Sequence, residues 1–208
     1  MPKIVDHEKQ RKKVAEATWR VIQKMGLDQA SVRNVADEAG LSVGSMRHYF
    51  TTHSELLSYA MKMVSDRVGN RITNIAFSGD LLSDIPLLVD EILPTDEEKR
   101  LEMEVWFAFV VKSLSDKDLA KHRMEVDDDL RTVFIKIMNE LTVNNLALPD
   151  LDMEVEIERF YALIDGLAIH AVLRPKKVTA DIMRRAVHRH LISICRPPSG
   201  QTQKKEQT

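Results

Sequence analysis

Residues 31–57, SVRNVADEAGLSVGSMRHYFTTHSELL, decide the fold. Ser31 can cap a helix, because its hydroxyl accepts a hydrogen bond from a free N–H of the first turn. Val32, Val35, Ala36 and Ala39 then recur at helical spacing. Gly40 follows where a helix ends in a left-handed residue, a conformation glycine adopts without steric cost. Leu41 plugs the turn and Ser42 is a second cap. Val43 to Phe50 reads as a short second helix with Met46 and Phe50 turned inward. Thr52-His53-Ser54-Glu55 has the form of a capping box ahead of Leu56 and Leu57, and opens a third helix. Helix, tight turn, helix is the layout that presents its second helix to a DNA major groove.

Outward from this stretch every segment reads as helix. Glycine and proline number seven each, and the alternation of a strand is absent. A first helix is expected over about 7–25, stopped by Gly26. A long helix over about 53–76 starts in the helix-turn-helix and leads into the rest of the chain. Ser78-Gly79-Asp80 breaks it. Further helices are expected over about 81–93, with Pro86 in the first turn, and over 96–114, 117–143, 153–173 and 180–195. The reading is an all-α chain of about nine helices. A three-helix head covers 1–52, a helical bundle covers 53–196, and a polar tail, expected to be disordered, covers 197–208.

Composition narrows the class. With 208 residues, 44% hydrophobic and 30% charged, the chain can bury a sizeable core. It has no apolar run long enough for a membrane span and no apolar segment of a secretory signal near its N-terminus. The single cysteine, Cys195, excludes an intramolecular disulfide and suits a cytoplasmic protein. Net charge is −2, but residues 1–55 hold nine Lys/Arg against seven Asp/Glu. Lys9-Gln10-Arg11-Lys12-Lys13 reads either as a phosphate-facing patch or as a solvated first turn. A small surplus suffices when two heads bind together, since phosphate contacts sum over a dimer.

The run Val32-Arg33-Asn34-Val35-Ala36-Asp37-Glu38-Ala39-Gly40-Leu41-Ser42-Val43-Gly44-Ser45-Met46-Arg47-His48-Tyr49-Phe50, with Thr52-His53-Ser54-Glu55-Leu56-Leu57, resembles the TetR family of bacterial transcription regulators. Ile164-Asp165-Gly166-Leu167-Ala168-Ile169-His170-Ala171-Val172-Leu173-Arg174-Pro175 resembles its BetI-type branch more loosely. The resemblance implies a repressor that binds palindromic operator DNA as a homodimer and is released by a small-molecule effector. It places Val43, Gly44, Ser45, Arg47 and His48 at DNA and Tyr49 at phosphate. Chemically, Arg47 suits bidentate readout of guanine, and Val43 a thymine methyl. Ser31 and Arg33 open the preceding helix and suit phosphate contacts. The family usually has lysine where this chain has His53, which weakens the phosphate contact expected there.

The remaining residues support an effector-binding and dimerisation part. The segment 103–111 is apolar nearly all round, with Glu104 inside it. Glu104 is either the charged group of an effector pocket beside Trp106 and Phe107, or one half of an ordinary ion pair. The pocket reading adds Met61, Met103, Phe134, Met138, Phe160 and Ile164, against the plain alternative that these are core. Leu163, Leu167 and Ala171, with Ala186, Val187, Leu191 and Ile194, form apolar stripes on the last two helices. By the resemblance, these pair with a second copy. No cofactor, metal or catalytic constellation is expected. His188 and His190 point apart on a helix, and no Cys/His cluster or phosphate-cradling glycine loop accompanies them. The competing reading is a helical ligand-binding or protein-interaction module whose head no longer reads DNA.

Overall fold

The structure, a computed structural model, describes residues 7–26 and 29–197. Except for Pro197, the tail expected to be disordered lies outside the described residues. The fold is all-α, as expected. Nine helices follow one another among the described residues: α1 (His7–Met25), α2 (Val32–Ala39), α3 (Val43–Met46), α4 (His53–Thr73), α5 (Leu81–Ile92), α6 (Glu97–Ser113), α7 (Lys117–Val143), α8 (Met153–Leu173) and α9 (Ala180–Ile194). The one β-type contact among the described residues is an isolated antiparallel bridge between Ala147 and Cys195.

Local chemistry sets most helix ends. The Ser31 hydroxyl accepts from the Asn34 N–H at 3.2 Å, and Gly40 closes α2 at φ +68°. Ser42 caps α3 through the Ser45 N–H at 3.0 Å, and Thr52 caps α4 through the Glu55 N–H at 3.0 Å. Asp96, Asp152 and Thr179 cap α6, α8 and α9 in the same way. Three expectations shift. First, α3 ends at Met46, and His48 and Tyr49 wind on in the tighter i to i−3 pattern, bonding Ser45 and Met46 carbonyls. Second, α4 stops at Thr73, where the Asn74 side chain takes the Asn70 carbonyl and competes with the helix. Third, Pro86 sits at the sixth residue of α5, past the first turn.

The described chain packs as two compact units, one of residues 7–75 and 94–129, the other of 76–93 and 130–197. Within the first unit, α4 and α6 both pack on α1. Its core joins Val14, Ala17, Trp19 and Val21 of α1 to Val35, Ala36 and Ala39 of α2, Met46 and Phe50, and Leu56, Leu57, Ala60 and Met61 of α4. Val105, Phe109 and Leu119 complete it. Each fully buried Val, Leu, Met or Phe among these contributes about 1.5–3 kcal/mol. Met25, the last residue of α1, is exposed.

In the second unit α9 packs on α5 and α8. The Asp84 carboxylate holds the preceding turn, accepting from the Ser78 N–H and hydroxyl and the Gly79 N–H at 2.8–2.9 Å. Arg184 of α9 grips Asp90 of α5 with two bonds of 2.7 and 3.0 Å. Phe134, Met138, Phe160, Ile164, Val187 and Leu191 form the core. Phe160 lies 4.7 Å from the buried His190 ring. Burial pushes the His190 imidazole below its usual range; Arg159 adds to this and Glu156 opposes it.

A pH prediction follows from that depressed value. Above about pH 6.5 histidine is neutral in both folded and unfolded chains, so the contribution is complete. As pH falls through and below that value, the unfolded chain binds the proton first and stability drops. The carboxylates Glu38, Glu55, Asp84, Glu97 and Asp116 are lowered, so their losses begin only at more acid pH, whereas Asp127, raised by burial, opposes the fall by taking up its proton first in the folded chain. Melting temperature is expected to fall between about pH 7.5 and 5.5, and the fall to shrink in His190→Gln. An equal fall in both proteins would remove His190 from the account.

Candidate nucleic-acid interface

The geometry of α2, the turn and α3 leaves one surface open. Met46 and Phe50 are buried, as their spacing requires, and Arg47 and His48 between them face out. Val43, Gly44, Arg47 and His48 are exposed, while Ser45 and Tyr49 are half-buried. The Ser45 hydroxyl shares a 2.9 Å hydrogen bond with that of Ser42. A methyl group at Gly44 would meet only the Ser42 hydroxyl, at an ordinary 3.8 Å. The chain itself therefore does not demand glycine there. Ser31 and Arg33 are exposed at the start of α2. Among the described residues, Arg33, Arg47 and His48 enter no ion pair or side-chain hydrogen bond. Three side chains with donor groups thus stand uncommitted on the surface expected to meet DNA.

Two sequence expectations change here. His53 is half-buried, and its Nε2 lies 2.6 Å from the Ala30 carbonyl oxygen. A carbonyl only accepts, so Nε2 carries the proton and donates. The imidazole ties the start of α4 to the residue preceding the α2 cap, so that nitrogen is not open to a phosphate. Arg11 leaves the basic patch as well. Its Nη1 donates to the Tyr49 carbonyl at 2.8 Å and to Glu55 Oε1 at 3.2 Å. Its guanidinium lies 4.5 Å from the Phe50 ring centre and 4.7 Å from that of Tyr59. Lys12 and Lys13 remain exposed.

The residues expected to line an effector pocket fall in both units. Met61, Met103, Glu104, Trp106 and Phe107 belong to the first; Phe134, Met138, Phe160 and Ile164 belong to the second. Met61 and the four of the second unit are buried core side chains. Met103, Trp106 and Phe107 are half-buried, and Trp106 stacks on Phe109. Glu104 is half-buried and paired with Arg100 on its own helix. The buried acid of α6 is instead Glu102, only 6% exposed, gripped by two bonds from Arg71 of 3.1 and 2.8 Å. Arg67 lies 4.0 Å from Glu102 and stacks 3.9 Å over Trp19. The pairing with Arg100 matches the ion-pair alternative for Glu104, and Glu102 was not singled out by spacing because its arginines come from α4.

The expected dimer residues also divide. Ala171, Val187, Leu191 and Ile194 are buried within the single chain, so they pack the second unit's own core. Leu163, Leu167 and Ala186 are half-buried. The large apolar residues left exposed on α8 and α9 are Val155, Ile169, Leu173, Ile182 and Ile192. Among the described residues, no group of three or more His, Cys, Asp or Glu could hold a metal ion. Nor is any helix long and apolar enough to cross a membrane. Cys195 is buried, and burial pushes its thiol up.

Comparison with known proteins fits this geometry. Residues 14–60, which include the caps and the exposed α3 surface, match the family model of bacterial regulatory proteins, tetR family. Residues 84–196 match the C-terminal model of the BetI-type transcriptional repressor. The HTH-type transcriptional regulator PksA of Bacillus subtilis is 46% identical over 99% of both chains. The chain belongs to the TetR family. This TetR-family regulator also resembles solved structures. A transcriptional regulator from a Rhodococcus species superposes with a TM-score of 0.78 at 27% identity, covering 88% of this chain and 95% of that one. A regulator from Saccharomonospora viridis, solved in complex with choline, shares the fold with a TM-score of 0.79 at 22% identity, covering 91% of this chain and all of the other. The chain is thus a helix-turn-helix transcriptional regulator with a BetI-type C-terminal part.

Proposed function

We propose that this chain is a cytoplasmic repressor that grips a palindromic operator as a C2 homodimer and releases it when a small molecule binds its C-terminal part. One observation carries the reading: Val43, Gly44, Arg47 and His48 stand exposed and uncommitted on α3 and the turn that continues it, over a buried Met46 and Phe50. Ser31, Arg33, Ser45 and Tyr49 flank that surface and supply phosphate contacts. Dimerisation supplies the affinity that a surplus of two positive charges in residues 1–55 cannot. Ile169, Leu173, Ile182 and Ile192 give α8 and α9 an exposed apolar surface for a second copy. The match to a BetI-type repressor model over 84–196 and the choline complex of a structural neighbour support effector control. An effector acts by binding the DNA-incompetent state more tightly, and its differential affinity sets the size of the switch.

The test is selection of duplexes from a randomised library by the purified protein, followed by titration of the selected duplex and sedimentation of the complex. A palindromic consensus bound by two chains is expected, with affinity falling steeply as salt rises. A monomer that enriches no sequence would return the chain to the ligand-binding or interaction module.

A further inference from the structure

The recognition segment is short and weakly held by its own backbone. α3 has four residues, and the turn after it is wound by i to i−3 bonds. A piece of that length has little helical stability of its own. Something outside must fix where Arg47, His48 and Tyr49 point. In this structure that contact is made by α1. Arg11 Nη1 takes up the Tyr49 carbonyl at 2.8 Å and Glu55 Oε1 at 3.2 Å. The other Glu55 oxygen accepts from the Thr51 N–H at 2.9 Å and the Thr51 hydroxyl at 2.6 Å. The expected capping box is thus half-formed. Thr52 caps Glu55, but the Glu55 carboxylate reaches Thr51 and Arg11 rather than the Thr52 amide. The Thr51 hydroxyl above all, with the Thr51 amide and Arg11, holds the Glu55 carboxyl below its usual range against the opposing effect of burial. The Phe50 and Tyr59 rings set the guanidinium plane, and Tyr59 is itself bonded to Glu8 on α1.

We infer that Arg11 is a positioning residue for DNA reading: it clamps the end of the recognition segment, through the Tyr49 carbonyl, to Glu55 on the first turn of α4. It does this from inside the head, not by contacting phosphate. The clamp makes α1, α3 and α4 one mechanical piece, so a displacement of the α4 start moves the reading surface with it. The inference rests on the reading that this head binds an operator.

Three variants separate the clamp from a phosphate contact, using full-length protein and the duplex selected by the wild type. Arg11→Lys keeps the charge but loses the planar fork. A phosphate-binding arginine would tolerate that change; a clamp would not, and affinity is expected to fall about tenfold. Arg11→Met should weaken binding with an unchanged slope of log affinity against log salt. Losing a phosphate contact would instead flatten the slope by about 0.9 per head. Glu55→Gln reverses the sign between the two accounts. Removing a negative charge from a DNA-binding head raises affinity by electrostatics alone, whereas loosening the clamp lowers it. Circular dichroism and melting temperature confirm that each variant is folded before binding is compared. If a variant at position 11 unfolds, Glu55→Gln decides by sign. Wild-type-like binding by Arg11→Lys, a flattened slope in Arg11→Met, or tighter binding by Glu55→Gln overturns the inference. Failure of the wild type to select any duplex would overturn the operator reading itself.

Discussion

Replacing Trp19 by alanine is expected to destabilise the protein by about 3–5 kcal/mol, the usual range for deleting a buried large aromatic side chain. For a chain of this size that corresponds to roughly 6–20 °C in melting temperature. Trp19 is 6% exposed in the core of the first unit. Its indole N–H donates to the Ala60 carbonyl of α4 at 2.9 Å, and the Arg67 guanidinium stacks on its face at 3.9 Å. Alanine removes the apolar area, the hydrogen bond and the cation's partner together. Arg67 would lose the surface that orients it toward Glu98 and Glu102. Glu102 would keep its two bonds from Arg71, so the buried acid is not stranded. Trp19→Phe retains a ring for Arg67 and loses chiefly the indole N–H and some volume. Its cost should be nearer 1–2 kcal/mol. Urea denaturation followed by circular dichroism measures both without relying on tryptophan fluorescence. A loss under 1 kcal/mol for the alanine variant would mean that α1 and α4 are held elsewhere.

Trp19 also shows what a sequence can reveal and what it cannot. The features legible beforehand act over a few residues. Ser31 reaches Asn34, Ser42 reaches Ser45, and Gly40 takes the left-handed conformation its position after α2 required. The bounds of α7 and α8 fell where periodicity placed them. The features missed depend on partners far along the chain. Arg11 and Glu55 meet across 44 residues, and Arg71 and Glu102 across 31. Nothing in the segment 97–113 distinguishes Glu102 from Glu104; the arginines of α4 do. Spacing reads His53 as a weakened phosphate contact, because its bond to Ala30 crosses a turn whose geometry spacing does not encode. The stripes of α8 and α9 are ambiguous for a different reason. An apolar stripe looks the same whether its partner is the neighbouring helix or a second copy. In this fold Ala171, Val187, Leu191 and Ile194 are taken by the chain itself.

The largest functional effect is expected at Arg47. It is exposed at the C-cap of α3 and its side chain enters no ion pair or hydrogen bond among the described residues, so the fold does not use it. Arg47→Ala should therefore change stability by no more than about 0.5 kcal/mol. Its planar fork matches O6 and N7 of guanine, and such a pair is worth about 1–3 kcal/mol of discrimination per head. Two heads on a palindrome double that, so affinity should fall by about 30-fold to twenty-thousand-fold. The pattern matters more than the size. If Arg47 reads a base, the variant becomes indifferent to substitution at one symmetric pair of operator positions and keeps the wild-type ranking at the others. Lys12→Ala supplies the contrast. Lys12 is an exposed charge beside the inward-turned Arg11. If it meets phosphate, its loss weakens every duplex alike and flattens the salt dependence. Titrating both variants against singly substituted operators at several salt concentrations separates the two roles. A uniform loss for Arg47→Ala, with a flattened slope and an unchanged ranking of operators, would assign Arg47 to the backbone. Sequence reading would then fall to Val43, Gly44 and His48, the other exposed residues of the same short segment.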